Sequence, residues 1–368
     1  MDQRARARLL TRSFPVLFFW NFLIMSKIDV VIPCYNYAPY LRACVHSVLS
    51  QSGVDVRVLV IDDASSDHTA RVGEELAALN KAVEFRRHKV NKGHIATYNE
   101  GLIDWSASEY TVLLSADDML APGALSRATR IMDADGSIGM VYGPAIHFRK
   151  ETDLPQNSLP KFSYSRFSGS TWIDVRCRSG HNVITSPEVV VRGSVQRLVG
   201  GYRSELPHAG DLEMWLRIAA VSSVAFVHRV PQAFYRVHTA NMTKLRNSFV
   251  DIHQRKAAFD AFFQYHQHLT DSGRLHDLAN RALAREALWD ACRAYDRNEV
   301  KESRADELIE FAVATYTKAT SLPEFRALSR RRRLGPLICN RTQLFAAPAL
   351  VRRVNRWFSK RRWQLQGI

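Results

Sequence analysis

The chain has 368 residues, 46% of them hydrophobic and 24% charged, enough to bury a full core without disulfide or metal staples. Its net charge of +15 sits at the two ends: four arginines against Asp2 in residues 1–12, and twelve Lys or Arg against Glu324 in residues 320–368, with a nearly neutral body between them. That excludes a nucleic-acid enzyme, whose positive charge surrounds its groove, and suits a protein held against anionic lipid headgroups.

Residues 1–26 form an N-terminal extension. Within it Phe14–Met25 is too short to span a bilayer and is broken by Pro15 and Asn21. It lacks a small-residue cleavage site, so it reads as an interfacial anchor, a buried segment, or a stretch upstream of a start at Met25. Ile28–Ile32 is a continuous β-branched run ended by Pro33, the pattern of a strand buried on both faces. Tyr40–Leu49 has helical spacing. Val56–Ile61 is a second strand, stopped by Asp62 and Asp63. A helix over 67–79 is expected with Asp67 as its cap. Val83–Arg87 is a third strand, His94–Trp105 a helix, and Tyr110–Leu114 a fourth strand stopped by Asp117 and Asp118. Residues 150–180 read as a flexible loop over the site, Val183–Val191 as a strand and Leu212–Ala220 as a helix. From 248 onward the pattern is helical. Strand and helix alternate over short loops, which predicts an open α/β sheet of mostly parallel strands flanked by helices, with an α-helical C-terminal extension. The five cysteines are scattered and form no C-x-x-C pair, as expected of reduced thiols in the cytoplasm.

Ligands of such sheets sit outside the carboxyl ends of the strands. Four polar clusters fall there: Pro33–Asn36, Asp62–Asp67, Asn91–His94 with Asn99, and Ser115–Asp118. One aspartate pair alone is an ordinary turn or cap. Two acidic pairs and two Asn-bearing loops on one edge can instead hold a divalent cation and, through it, a diphosphate.

These segments resemble the family 2 glycosyltransferases, which have the GT-A nucleotide-diphospho-sugar transferase fold. Val30–Asn36 looks like the family's opening strand and loop, Val60–Asp67 its nucleotide-binding strand end, and Asn91-x-Gly93 with Asn99 the loop and helix that follow. Leu113–Asp118 looks like its metal-binding D-x-D segment. Gly200-Gly201-Tyr202 followed by Asp211–Arg217 resembles the acceptor-side segment that supplies the base. Tyr235–His238 with Asn241-Met242-Thr243 resembles the closing motif. The likeness covers about residues 27–245. It implies a catalytic domain over 27–247 and a helical region with a basic amphipathic tail over 248–368.

The resemblance implies transfer of a sugar from a nucleotide-diphosphate donor, a UDP-sugar by preference, to a hydroxyl acceptor by one inverting displacement, in cell-surface polysaccharide or lipid-linked glycan synthesis. Donor contacts are expected from Pro33, Asn36, Asp62, Asp63, Asn91, Gly93, Asn99, Ser115 and Asp118. Asp63, with or without Asp62, would meet the base and ribose. Asp117 would ligate Mn²⁺ or Mg²⁺, with His238 at the metal or the diphosphate and His94 in support. Ser115 stands where the family often has the first Asp of D-x-D, so metal binding leans on Asp117 and on the diphosphate itself. Asp211 is the expected general base, since an acceptor hydroxyl must lose its proton as it attacks. Capping the helix after it is the alternative role. Glu213 is the rival base, Trp215 is expected in the core and Arg217 in an ion pair. Acceptor specificity is expected in 150–210 and in the tail.

Two other functions compete. A nucleotidyltransferase would carry a Gly-rich, basic phosphate loop after the first strand, but Pro33–Pro39 contains neither glycine nor a basic residue. An inactive sugar-nucleotide-binding scaffold would not need Asp63, Asp117 and Asp211 together. In the tail, Leu350, Val351, Val354, Trp357 and Phe358 recur at helical spacing, with Arg352, Arg353, Arg356 and Lys360 largely on the other side. This is the profile of a helix lying in a membrane interface. The expected partners are therefore a nucleotide-sugar donor, a glycan or lipid-linked acceptor and an anionic membrane surface, with no nucleic acid. The expected place is peripheral, on the cytoplasmic face of the plasma membrane.

Overall fold

The computed structural model describes residues 25–155, 161–239, 241 and 248–368. The expectations for residues 1–24, Met242 and Thr243 lie outside them. The chain begins β1 (Lys27–Cys34), α1 (Ala38–Leu49), β2 (Asp55–Asp62), α2 (Thr69–Leu79), β3 (Val83–Arg87), α3 (His94–Asn99) and β4 (Tyr110–Leu113). It continues β5 (Met119–Leu120), α4 (Ala124–Ala134), β6 (Ile138–Tyr142), β7 (Ala145–Phe148), β8 (Ser163–Phe167), α5 (Gly169–Ser179) and β9 (Val190–Arg192). Then come α6 (Gly193–Val199), α7 (Gly210–Val221), β10 (Ser223–His228) and β11 (Ala233–Arg236). Among the described residues the α-helices that follow are α8 (Ser248–Tyr265), α9 (Ser272–Arg297), α10 (Ala305–Thr315), α11 (Pro323–Leu334), α12 (Pro336–Thr342) and α13 (Ala346–Gln366).

The main sheet has the order β3-β2-β1-β4-β9-β6-β10-β8. β1 to β4 are parallel, β9 is antiparallel to both β4 and β6, and β10 is parallel to β6. The carboxyl ends of β1, β2, β3, β4, β6 and β10 therefore share one edge. A small sheet, β5-β11-β7, stands beside it. The β-branched run of β1 is continuous because both of its faces are covered. Val30 and Ile32 enter one core with Leu41, Val45 and Val48 of α1, while Val31 enters the other with Leu59 and Ile61. That second core does not stop at the sheet. It runs through Trp172 of α5 and Leu212 and Leu216 of α7 into Phe259, Leu283, Leu288 and Leu308 of the C-terminal helices. Those helices thus share one apolar interior with the sheet.

Three expectations are corrected here. The described residues of 150–180 contain β8 and α5 where a flexible loop was expected, and α5 buries Trp172 completely. Ser168, one of the serines that suggested a loop, caps α5 by accepting from the Thr171 N–H. The strand expected over Val183–Val191 is only Val190–Arg192, because Thr185–Glu188 form a tight turn before it. The helix expected over His94–Trp105 changes to π-helical winding at Glu100–Trp105, a distortion frequent at functional sites.

Candidate active site

The carboxyl ends of β1, β2 and β4 open onto a cleft of about 600 Å³. Pro33 and Asn36 line it after β1, Asp63 after β2, Asn91 and Gly93 after β3, and Ser115, Asp117 and Asp118 after β4. Asp211 reaches the same cleft from the start of α7. A second cavity, about 530 Å³, lies at the far end of the same edge beside Arg229 and Leu365; it touches none of these carboxylates.

Asp63 is a hub. One carboxylate oxygen accepts from the Lys92 N–H at 2.7 Å and meets His88 Nδ1 at 2.7 Å; the other accepts from the Gly93 N–H at 2.9 Å. Burial raises its pKa, but His88 and the two N–H groups together hold it below the usual carboxylate range. Asp63 is thus an ionised carboxylate that shapes the Asn91–Gly93 loop. Gly93 suits that loop because its φ is 85°. Behind it, His88 Nε2 and Lys92 Nζ both meet Glu100, at 2.9 and 3.0 Å. Neither His88 nor Glu100 was legible as a site residue; the only signal was a histidine just past the third strand.

Asp62 does not line the cleft. Successive strand residues face opposite sides, so Asp62 turns inward, accepts from the Ser65 N–H at 2.9 Å and pairs with Arg87 at 3.2 Å. Asn36, at φ 58°, lines the cleft with its amide oxygen occupied by the Ser66 N–H at 2.9 Å, clipping the first two loops together. Asn99 does not line the cleft either. Its side chain grips the backbone of Tyr202 twice, accepting from its N–H at 2.7 Å and donating to its carbonyl at 2.8 Å. Gly201 permits this, since a Cβ there would fall 2.4 Å from Asn99 Oδ1.

Asp117 and Asp118 stand side by side, both nearly inaccessible. Asp117 lines the cleft yet is only 6% exposed. Its Oδ2 meets His238 Nε2 at 2.9 Å. Asp118 accepts from the Arg236 N–H at 2.8 Å, and burial together with the charge of Asp117 pushes its carboxyl well above the usual range. Arg236 also donates to the Asp117 carbonyl at 2.9 Å, pairs with Glu151 at 2.9 Å and packs on the Tyr40 and Phe148 rings. It fastens the small sheet to the acidic loop. Among the described residues no group of three or more His, Cys, Asp or Glu could hold a metal by itself. The donors at hand are Asp117 and His238, which fit a hard cation only if oxygens of a bound diphosphate complete its shell.

At the other end of the cleft Asp211 is held by hydroxyls. Ser186 Oγ donates to its Oδ2 at 2.6 Å, and the buried Tyr202 hydroxyl also bonds to it. Ser186 has φ 92°, a conformation rare for a side chain. The turn that imposes it is tied by Glu188, which accepts from the Thr185 N–H at 2.7 Å and hydroxyl at 2.6 Å. Burial raises Glu188 to about 7. Asp211 does not cap α7; the cap is Ala209, and Asp211 lies in the first turn. Glu213, the rival base, is fully buried between Arg203 and Arg217, each 2.8 Å away, and Trp215 is core. His94 lines the cleft and bonds to the Pro207 carbonyl at 2.8 Å. Ser186, Glu188 and the hydroxyl of Tyr202 were missed, because only the fold brings 185–188 against Asp211.

Residues 29–192 match the family described as Glycosyl transferase family 2. An uncharacterized protein of Mycobacterium tuberculosis (strain CDC 1551 / Oshkosh) is 27% identical over 221 residues, 58% of this chain and 67% of that protein. The chondroitin synthase of Pasteurella multocida (strain Pm70) is 24% identical over 220 residues, 60% of this chain but only 21% of the synthase. The chain thus spans about a fifth of that larger relative. In fold it is similar to residues 1–349 of S. aureus TarS solved with UDP-GlcNAc, with TM-score 0.62, 14% identity, and 86% and 91% of the two chains covered. That share is more than residues 27–247 could supply alone, so the likeness reaches into the C-terminal helices. Motif order, sheet and family match agree: residues 29–192 match glycosyl transferase family 2, and the fold is that of the GT-A glycosyltransferases.

Proposed function

We propose that this glycosyltransferase moves a sugar from a UDP-sugar to a hydroxyl of a glycan or lipid-linked acceptor, in one inverting displacement, during cell-surface polysaccharide or lipid-linked glycan synthesis. The observation that carries it is the convergence of Asp63, Asp117 and Asp211, from three separate elements, on one cleft. A TarS structure of similar fold was solved with UDP-GlcNAc, which favours a uridine donor. Residues 27–247 carry the chemistry, and 248–368 brace it at the cytoplasmic face of the membrane. No helix among the described residues is long and apolar enough to cross a bilayer, which fits a peripheral position.

The geometry supports a role for each residue. Asp63, held ionised, presents a fixed acceptor for the base or ribose, while the Asn91–Gly93 loop that it shapes lines the same end with Pro33, Asn36 and Ser115. Asp117 and His238 would hold Mn²⁺ or Mg²⁺, which when bound neutralises the charge of the departing diphosphate. Asp118, buried behind Asp117, and Arg236 keep that loop in place. Asp211 accepts the proton of the acceptor hydroxyl, its orientation held by Ser186 and Tyr202.

The test is a thermal-shift screen of the full chain against UDP- and GDP-sugars, each with and without Mn²⁺. A UDP-sugar that requires the metal should raise the melting temperature, by about 2.7 kcal/mol of stabilisation at a hundredfold excess over Kd. Stabilisation by nucleoside triphosphates but by no sugar nucleotide would point to nucleotidyl transfer instead.

A further inference from the structure

The last helix turns its apolar side away from the protein. At about 100° per residue, Leu350, Val354, Trp357 and Leu365 of α13 form one row, with Val351 and Phe358 beside it. All six are exposed, Trp357 by 53% and Phe358 by 59%. On the opposite side Arg352 and Trp363 are half-buried. Arg352, expected on the lipid side, instead lies over the Trp289 ring, 4.0 Å from its centroid, next to Asp296. A terminal helix that only docked on its own domain would bury the tryptophan and phenylalanine and expose the arginine. This one does the reverse.

The helix is also fastened. The Tyr142 hydroxyl donates to the Gly367 carbonyl, and His228 Nδ1 donates to the Leu365 carbonyl at 2.8 Å. Gly367 packs so closely on Phe226 that a Cβ would fall 2.2 Å from the ring. Tyr142 and His228 end β6 and β10, on the same sheet edge as the cleft. The outward face of α13 is therefore held in a fixed position relative to the cleft. Beside it α12 exposes Leu337 and Ile338. On the same three helices, α11 to α13, Arg330, Arg332, Arg333, Arg341, Arg353 and Arg362 are exposed. The ion pairs of the described residues include none of the six.

We propose that the outward side of α13, with Leu337 and Ile338, docks on an anionic lipid bilayer: the apolar row enters the headgroup boundary and the arginines meet lipid phosphates. A second copy would set arginine against arginine. A nucleic acid would leave the aliphatic row without a partner. The inference deepens the membrane-side reading above and rests on it for the leaflet; sugar transfer is tested apart from it.

The experiment is co-sedimentation of the full chain with vesicles of phosphatidylcholine, alone or mixed with phosphatidylglycerol. The chain should bind the mixed vesicles, release at high salt and ignore the neutral ones. The pair Trp357→Ser with Phe358→Ser, and separately Arg332→Gln with Arg333→Gln, should each weaken binding about tenfold. Both pairs should keep the wild-type cooperative melt, which shows that they fold. No binding by wild type at low salt, or equal binding by the variants, overturns the proposal. So does a concentration-dependent dimer that Trp357→Ser with Phe358→Ser dissolves without any vesicle binding. Vesicles that bind a chain unable to use any sugar nucleotide would leave this proposal standing and remove the transfer reading.

Discussion

Asp63 and Arg332 represent two ways of handling charge in one chain. Asp63 is buried, and its carboxylate is met from within by His88 and two backbone N–H groups. The same holds for Glu213 between its two arginines, and the half-buried Asp211 is likewise met by two hydroxyls. Arg332 is exposed on α11 and forms no ion pair with the described residues. Buried charge must be answered inside the fold, because leaving it unmet costs several kcal/mol. Solvated charge needs no answer for stability. Substitutions at the sheet edge should therefore damage chemistry or fold, and substitutions in the tail should damage neither.

The largest effect is expected at Asp117. Asp117→Ala should lower donor-dependent turnover by about 10³-fold or more and abolish metal-dependent stabilisation by donor, with a cooperative melt retained by circular dichroism. Normal turnover would move the metal site elsewhere. Next comes Asp211→Asn, which should lower transfer by about 10² to 10⁴ while donor binding by calorimetry stays unchanged. Its foil is Glu213→Ala, which should lose about 3–5 kcal/mol of stability in urea titrations. An active Asp211→Asn beside a folded but dead Glu213→Gln would make Glu213 the base.

Smaller effects sharpen the contrast inside the cleft. Ser186→Ala and Tyr202→Phe each remove one hydroxyl from Asp211, and each should lower kcat about tenfold with the donor Kd unmoved. A change in Kd alone would make them donor contacts. Glu188 gives a pH signature. Its folded pKa of about 7 lies above the ordinary 4.5, so the neutral form is favoured in the fold. The resulting stabilisation is complete below pH 4.5 and disappears as pH rises through about 7, on the order of 3 kcal/mol in all. Glu188→Gln should flatten the fall in melting temperature between pH 5 and 8; an unchanged slope would show that Glu188 ionises freely. The smallest effect is expected in the tail, where Arg332→Gln should alter stability by no more than about 0.5 kcal/mol.

The legible parts of the site were those made by local chemistry. An aspartate pair that stops a strand can be read from sequence, and Asp63, Asp117 and Asp118 do line the cleft. Residues expected at the cleft fall outside it where adjacency in sequence is not adjacency in space. Asp62 neighbours Asp63 but faces the other side of the sheet edge. Asn99, one turn past the donor loop, is used up by the backbone of Tyr202. Residues 150–180 looked like a loop because the apolar residues of α5 are few, yet Trp172 and Ile173 are enough to seat it on the core.

By itself the sequence determined the alternation of strands and helices from β1 to β4, the carboxylates at those strand ends and the amphipathic tail, because each depends on residues a few positions apart. The tertiary structure alone decided which partner each charge receives. Ser186 is set on Asp211 from 25 residues away, and His238 on Asp117 from 121. It also decided that Arg352 turns inward while Trp357 and Phe358 turn out. Helical periodicity gives the two sides of α13, but only its attachment to Tyr142, His228 and Trp289 chooses which side the protein keeps.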